Sequence, residues 1–572
     1  MQRCRGLPAS GGVAIGPVWV YRPMELQVTR RRVADTQKEW LRLERAMQQA
    51  HSQLQALKAR ALASAGEEEA AIFEAHELFL EDVELLGMLR KTIEDEEMNA
   101  EAAVETCFEH YAAMLLALDN AYFQARAQDV RDVKQQLLQV LSGQEKEMGA
   151  APPYPAVILA DDLTPSDTIQ FRREFILGLG TVGGGPTSHT AILARALGVP
   201  AVVSAPMRLD EITPGTIAVL DGDKGEIVLD PSEEVLAQAR VAQQRQQALR
   251  TKAISTAHEP AITTDGSQVE VVANVGGLED VQQALAMGAE GIGLFRTEFL
   301  YLDRTDMPDE EEQAQVYRQV FQIMSGKPVV VRTLDIGGDK PAPYLDVKPE
   351  PNPFLGWRAI RMIDRRPDIL KCQFRALLAA AGQTSADLRI MLPLVSRLEE
   401  FTRARELFEE ARASLAADGL PLPKQVQFGM MVETPAAALL AHHFAKEADF
   451  FSIGTNDLTQ YTLAVDRTNE RVAHLASPYH PAVLHLIAMT IEAAHAHDRW
   501  VGLCGELAGE ILAVPLLLGL GLDEFSMAPV SIPTIKEAIR RWSRTRCQEI
   551  ARTALSLPTA QAVKAFLQQV EP

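Results

Sequence analysis

From residue 261 to residue 572, short apolar runs alternate with amphipathic stretches, and this alternation constrains the fold more than any other feature of the sequence. Eight runs carry strand character: Val269–Ala273, Gly291–Phe295, Pro328–Val331, Leu388–Leu392, Val426–Met431, Asp449–Ile453, Trp500–Leu503 and Glu524–Met527. Helical patterns such as Leu398–Leu415 and Pro435–Lys446 fall between them. Strands separated by helices pair in parallel, because each crossover helix returns the chain to the same end of the sheet. Eight such units predict a TIM barrel over residues 261–572, with a doubly wound sheet as the other architecture that fits.

A barrel of this kind gathers its chemistry where the strands end. Arg296 follows the second strand, Arg332 the third, Glu433 the fifth, Asn456 and Asp457 the sixth, and Cys504 the seventh. Guanidinium forks bind phosphate and carboxylate oxygens in pairs. Glu433 and Asp457, on neighbouring strands, can share a hard divalent ion such as magnesium, which takes oxygen ligands. Taken singly, each charged residue reads equally well as a surface ion pair, and Cys504 as a buried packing thiol. Taken together, they point to a magnesium-dependent enzyme that handles phosphate.

The first 260 residues read differently. Gly11–Val20 is a strand entered through glycines. It joins short apolar runs at Val157–Leu159, Phe175–Leu177, Ala201–Val203, Thr216–Leu220 and Glu226–Leu229, parted by the turns Pro214-Gly215 and Asp221-Gly222. Residues 1–20 and 148–230 therefore predict one α/β domain. Within it, Thr181-Val-Gly-Gly-Gly-Pro-Thr-Ser-His189 leads into the helical run Thr190–Arg195. His189 then falls in a first helical turn, where free N–H groups and the helix dipole favour an anion. An imidazole there can carry a phosphoryl group, and it can equally serve as a cap or packing residue.

Between the two halves of that domain, residues 21–147 have almost no proline or glycine beyond Pro23. Met47, Ala50, Leu54, Leu57 and Ala61 keep helical spacing, as do Val104, Phe108, Tyr111, Leu115, Leu118 and Tyr122, and then Val130, Val133 and Leu137. This predicts an inserted helical bundle, either a packing unit or a docking surface for a partner. Residues 231–260 predict a linker helix, rich in Gln, Ala and Arg, that either joins moving domains or packs rigidly.

Lys and Arg number 56 against 77 Asp and Glu, a net charge of −21, which argues against a nucleic-acid surface. The five cysteines show neither disulfide nor metal spacing. With no uninterrupted apolar run of 18 residues and no signal-like start, a cytoplasmic protein without stable membrane association is expected.

The sequence resembles phosphoenolpyruvate–protein phosphotransferase, the first enzyme (enzyme I) of the bacterial sugar phosphotransferase system, over essentially its whole length. The resemblance rests on Gly184-Gly-Pro-Thr-Ser-His189-Thr-Ala-Ile-Leu-Ala-Arg195, Gly291-Ile-Gly-Leu-Phe-Arg296-Thr-Glu-Phe, and Arg332-Thr-Leu-Asp-Ile-Gly-Gly-Asp-Lys340. Asn352-Pro-Phe-Leu-Gly-Trp-Arg358, Met431-Val-Glu433-Thr-Pro, Phe451-Ser-Ile-Gly-Thr-Asn456-Asp457, Val465-Asp-Arg467 and Cys504-Gly-Glu-Leu-Ala-Gly509 complete it.

The resemblance implies a phosphohistidine at His189, on the ring nitrogen remote from the side-chain attachment, which passes its group to the histidine phosphocarrier protein HPr. It implies phosphoenolpyruvate contacts at Arg296, Arg332, Asn456, Asp457 and Arg467, Mg2+ ligands at Glu433 and Asp457, and a proton donor at Cys504. The helical insert is then the HPr-docking surface and the barrel the homodimerisation domain. Pro186 stands where members often carry arginine. The implied role is the first step of sugar uptake, with a nitrogen-related branch enzyme or a non-catalytic carrier-binding adaptor as alternatives.

Overall fold

The computed structural model divides within one helix, Glu233–Ser255, into two units, Met1–Ala248 and Leu249–Pro572. It describes residues 1–22, 28–64, 73, 76–117, 121–143, 152, 154–168, 171–185, 188–302, 304, 306–337, 343–345, 350, 352–467, 469 and 472–572.

In the first unit, eight strands form one sheet: β1 (Gln2–Arg5), β2 (Leu7–Ser10), β3 (Val13–Val20), β4 (Ala156–Ala160), β5 (Ile176–Thr181), β6 (Ala201–Val203), β7 (Ile217–Asp221) and β8 (Glu226–Leu229). Their order is β1-β8-β7-β3-β4-β5-β6-β2, with β3 to β6 running parallel. The parallel centre is covered on both faces. In β4, Val157 and Leu159 face one apolar cluster while Ile158 and Ala160 face another, so the strand reads as a continuous apolar run. β1 and β2 were not foreseen, because Arg3, Arg5 and Pro8 interrupt their apolar pattern.

β3 and β4 are direct neighbours, with Val18 opposite Val157 and Val20 opposite Leu159. Everything between them is therefore an insertion at one seam of the sheet. It contains the helices Thr36–Ser64, Val83–Asp95, Ala100–Ala117 and Ala121–Ser142. These bury a core of their own, including Leu54, Leu89, Val104, Phe108, Val130 and Leu137. Of the run from Val104, Val104, Phe108, Tyr111 and Leu115 lie in the helix Ala100–Ala117 and Tyr122 in the helix Ala121–Ser142, while Leu118 lies outside the described residues.

In the second unit, β10 (Gln268–Val275), β11 (Ile292–Phe295), β12 (Pro328–Arg332), β13 (Asp387–Leu392), β14 (Gln427–Val432), β15 (Phe450–Ile453), β16 (Trp500–Leu503) and β17 (Glu524–Met527) pair in parallel and in order. β10 pairs with both β11 and β17, which closes the barrel, and β9 (Ala261–Ile262) adds antiparallel to β10. The TIM barrel expected from the alternation is thus observed, and the doubly wound sheet is not. Two details differ. Arg332 is the last residue of β12 rather than the residue after it. The run Pro435–Lys446 forms two short helices, Pro435–Leu439 and Ala441–Phe444, that part at Leu440. Among the described residues, no helix is long and apolar enough to cross a membrane.

Glu524 opens β17, at the barrel end opposite the strand termini that carry the candidate site. It is 1% exposed, and neither carboxylate oxygen has a hydrogen-bond partner among the described residues. Burial, with Glu270 adding, pushes it up to about 8. The folded state therefore keeps a proton that the unfolded chain releases from roughly pH 4.3. Stability falls as pH rises through that window and has lost the full increment above about 8. Glu524→Gln is expected to flatten this decline and raise the barrel's melting temperature at pH 9. Calorimetry from pH 5 to pH 9 measures the slope, and equal slopes in parent and variant would refute the assignment.

Candidate active site

At the C-terminal ends of the barrel strands, six buried or half-buried charges alternate in sign. Glu298 accepts from Arg332 at 2.8 Å, and Arg332 lies 3.3 Å from Asp335. Arg358 grips Asp335 with two bonds, Nε to Oδ1 at 2.8 Å and Nη2 to Oδ2 at 2.9 Å, and reaches Asp457 at 3.5 Å. Arg467 closes the series 3.8 Å from Asp457. Burial alone would lower the pKa of Arg332 and Arg358, but the surrounding carboxylates outweigh it and raise both. Both guanidinium groups stay charged. The buried Nε of Arg332 has no hydrogen-bond partner among the described residues, a donor that an incoming oxyanion can satisfy.

Local backbone sets this arrangement. Gly337 has φ +102°, and a Cβ there would lie 2.4 Å from the Trp357 carbonyl. Glycine thus lets the segment after β12 press against the segment carrying Arg358, where Ala359 N–H donates to the Ile336 carbonyl at 3.0 Å. Gly505 plays the matching part after β16. A Cβ on it would meet Thr455 Oγ1 at 1.9 Å, so only glycine lets this turn seat Cys504 beside the start of the helix Thr455–Leu463.

Glu433 follows β14 and is 2% exposed, while Asp457 lies in the first turn of the helix Thr455–Leu463 and is 6% exposed. One Glu433 oxygen accepts from the Leu394 N–H at 2.8 Å. Burial first, then Asp457 and Asp335, push Glu433 up to about 8. A buried carboxyl raised by neighbouring carboxylates marks a place that favours added positive charge. Among the described residues, no set of three or more His, Cys, Asp or Glu side chains is arranged to hold a metal ion. A pair of carboxylates nevertheless fits magnesium, which keeps several waters and takes substrate phosphate oxygens as further ligands.

Cys504 faces the barrel interior with Leu294, Val330, Met391, Met431 and Phe450. Burial, with the charge of Glu433 adding, pushes its thiol up to about 11. Arg296 follows β11 and is exposed, and its charge acts on the same thiol in the opposite sense. Asn456 ties the helix Thr455–Leu463 to the loop after β16, donating to Glu506 Oε1 at 3.1 Å and accepting from the Glu506 N–H at 3.3 Å. The mouth of the barrel therefore brings together Arg296, Arg332, Glu433, Asp457, Arg467 and Cys504, with Asn456 at its edge.

Three members of the charge series, Glu298, Asp335 and Arg358, were not singled out from the sequence, although each lies in a quoted motif. Glu298 and Asp335 each come three residues beyond their strand ends. Arg358 arrives from a long connection, and strand-end position gives no signal for it. The available sign was charge inside an otherwise apolar stretch, as in Arg358-Ala-Ile.

In the first unit, Ser188 caps the helix His189–Leu197, its hydroxyl accepting from the Ala191 N–H at 3.4 Å, and Gly198 ends it with φ +61°. The backbone thus puts His189 at the first helical position. The side chain of His189, and Pro186 and Thr187 before it, lie outside the described residues.

Three family models tile the chain. The N-terminal model of PEP-utilising enzymes matches residues 5–126, the mobile-domain model 152–225 and the PEP-binding-domain model 250–544. The phosphoenolpyruvate-protein phosphotransferase of Geobacillus stearothermophilus is 46% identical over 564 residues, covering 99% of this chain and 97% of its own. The chain belongs to the phosphoenolpyruvate-protein phosphotransferases. Members from Bacillus sp. (strain S) and Bacillus subtilis (strain 168) are 45% and 42% identical, the latter over the full length of both chains. The family resemblance carried by the motifs from Gly184 to Gly509 is therefore borne out, and the chain has the multidomain α/β fold expected of it.

Proposed function

We infer that the chain takes the phosphoryl group of phosphoenolpyruvate onto His189, releases pyruvate and passes the group to HPr, as the first general step of sugar uptake. In this reading a ring nitrogen of His189 attacks phosphorus while the bond from phosphorus to the enol oxygen breaks. Arg296, Arg332, Asn456, Asp457 and Arg467 bind the phosphate and carboxylate, spreading the charge that moves onto the leaving oxygen. Magnesium, held by Glu433 and Asp457, would add charge neutralisation at the phosphate oxygens. The departing enolate needs a proton on C3, and a thiol pushed up to about 11 keeps one to give at pH 7. The observation that carries the reading is the alternating charge series at the mouth, with the unpartnered Nε of Arg332 inside it.

HPr docks on the helical insert in the same reading. Its separate core supports this, as does Leu78, which is 66% exposed. The barrel forms the homodimer. Incubating the full chain with phosphoenolpyruvate labelled in the phosphoryl group, then with HPr, tests the whole sequence. Acid-labile label is expected on the chain first and on HPr second. A chain that never labels would be an adaptor, and preferential labelling of a nitrogen-branch carrier would move the enzyme to that pathway.

Cys504→Ala separates two steps at one site. Phosphorylation of His189 in a single turnover is expected to slow less than steady-state pyruvate release, which should fall by about 10²- to 10⁴-fold for the loss of a general acid. Solvent deuterium incorporation at pyruvate C3, compared with the rate of His189 phosphorylation, is the measurement. Parent-like incorporation would leave Cys504 a packing residue.

A further inference from the structure

We propose that Asp335 is a positioning residue that fixes the guanidinium planes of Arg332 and Arg358 at the barrel mouth before phosphoenolpyruvate arrives. This rests on the reading of the mouth as the phosphoenolpyruvate site. Asp335 is 1% exposed and occupies the middle of the charge series. Removing it cuts the series in two, leaving Glu298 with Arg332 on one side and Arg358, Asp457 and Arg467 on the other. Asp335 and Asp457 each touch two arginines, but Asp335 makes the short contacts, at 2.8 and 2.9 Å to Arg358 and 3.3 Å to Arg332, where those of Asp457 are 3.5 Å and longer.

The distances show which carboxylate governs Arg358. Its contacts to Asp457 are both 3.5 Å, against 2.8 and 2.9 Å to Asp335. A fork gripped through two parallel bonds has its plane set as well as its position. Without Asp335, Arg358 keeps one anionic contact among the described residues, Asp457, and is drawn onto it. Arg332 keeps Glu298 and loses the contact that orients its second amino group.

Stability does not account for this arrangement. Buried ion pairs seldom repay the desolvation of both charges, and apolar replacements of similar volume are often as stable. Placement does account for it, because donors aimed beforehand need no reorganisation when charge develops. The backbone is committed to the same end. Gly337 permits the close approach that sets the loop of Asp335 against the loop of Arg358, and Ala359, next to Arg358, holds φ +55°, an unfavourable value for a residue with a side chain.

The test uses D335N and D335E in the full chain, with kinetics on the otherwise native enzyme and direct phosphoenolpyruvate binding by calorimetry in a His189→Ala background, where no transfer consumes the ligand. D335N keeps one acceptor oxygen and loses the charge and the second acceptor. The expected result is a phosphoenolpyruvate KM raised about 10- to 100-fold, a kcat changed less, and a dissociation constant raised by the same factor as KM. D335E keeps the charge but displaces the carboxylate by one methylene, and is expected to fall between D335N and the parent. Should D335N fail to fold, D335E alone decides: a raised KM upholds the proposal and a parental KM overturns it. Parental affinity in folded D335N also overturns it. So does a raised magnesium requirement with unchanged phosphoenolpyruvate affinity, which would make Asp335 a metal ligand. No binding to the His189→Ala chain with Asp335 intact would instead sink the reading of the mouth, separately from the role of Asp335.

Discussion

Replacing His189 by alanine is expected to abolish labelling of the chain by phosphoenolpyruvate, and with it all transfer to HPr, while phosphoenolpyruvate still binds the barrel. The loss should exceed about 10⁴-fold, because removing a nucleophile that forms the covalent intermediate leaves no alternative route through the same intermediate. The position carries the argument. His189 is the first residue of the helix His189–Leu197, after the cap Ser188, where backbone N–H groups are unpaired within the helix and the dipole favours a phosphate. A phosphate near that helical turn is stabilised by this field. Alanine is a better helix former than histidine, so the variant should fold with parental secondary structure. Acid-labile phosphate persisting on the His189→Ala chain would place the nucleophile elsewhere.

Glu433→Gln and Asp457→Asn are each expected to raise the magnesium concentration for half-maximal transfer by at least about tenfold, since even residues that only support a metal ligand commonly cost that much. A second readout moves the opposite way. Without metal, Glu433 is pushed up to about 8 by burial and by Asp457 and Asp335. The unfolded chain releases the same proton from roughly pH 4.3, so the metal-free barrel loses stability as pH rises from there to about 8. Glu433→Gln removes that penalty. The metal-free variant should melt higher than the parent at pH 9 even as its activity falls, whereas a merely structural carboxylate would lose both. Titrating activity against magnesium, beside melting of the metal-free proteins, decides the point. An unchanged magnesium dependence in both variants would mean that neither carboxylate is a ligand.

The barrel was legible because its strands are short apolar runs with charged neighbours. Arg499 precedes β16 and Asp523 precedes β17, and both strands fall where the sequence placed them. Periodicity served the helices less well where a run such as Pro435–Lys446 holds no strong internal stop. At the mouth, strand-end logic found Arg296, Arg332, Glu433, Asp457 and Cys504, because each is tied to a strand by a few residues of chain. It could not find the partnership of Arg358 with Asp335, which depends on a long connection folding back over the barrel. β1 and β2 were hidden for a related reason. Their partners, β8 and β6, lie some 200 residues away, and their own patterns are broken by Arg3, Arg5 and Pro8.

The seam between β3 and β4 imposes a timetable on the ribosome. β3 ends at Val20 and its parallel neighbour begins at Ala156. At about 5–20 residues per second, synthesis leaves β3 without that neighbour for about 7 to 27 s. During this wait the nascent strand offers an open edge, the element most prone to pair with the wrong chain. Gly16 and Pro17 in its middle blunt that risk, since proline withholds one ladder donor. The helical insert, whose core draws on none of the sheet residues, can close while the strand waits. Substitutions that loosen that core, at Phe108 or Val130 for example, should therefore lower the yield of soluble chain at synthesis more than they lower the melting temperature of the finished protein.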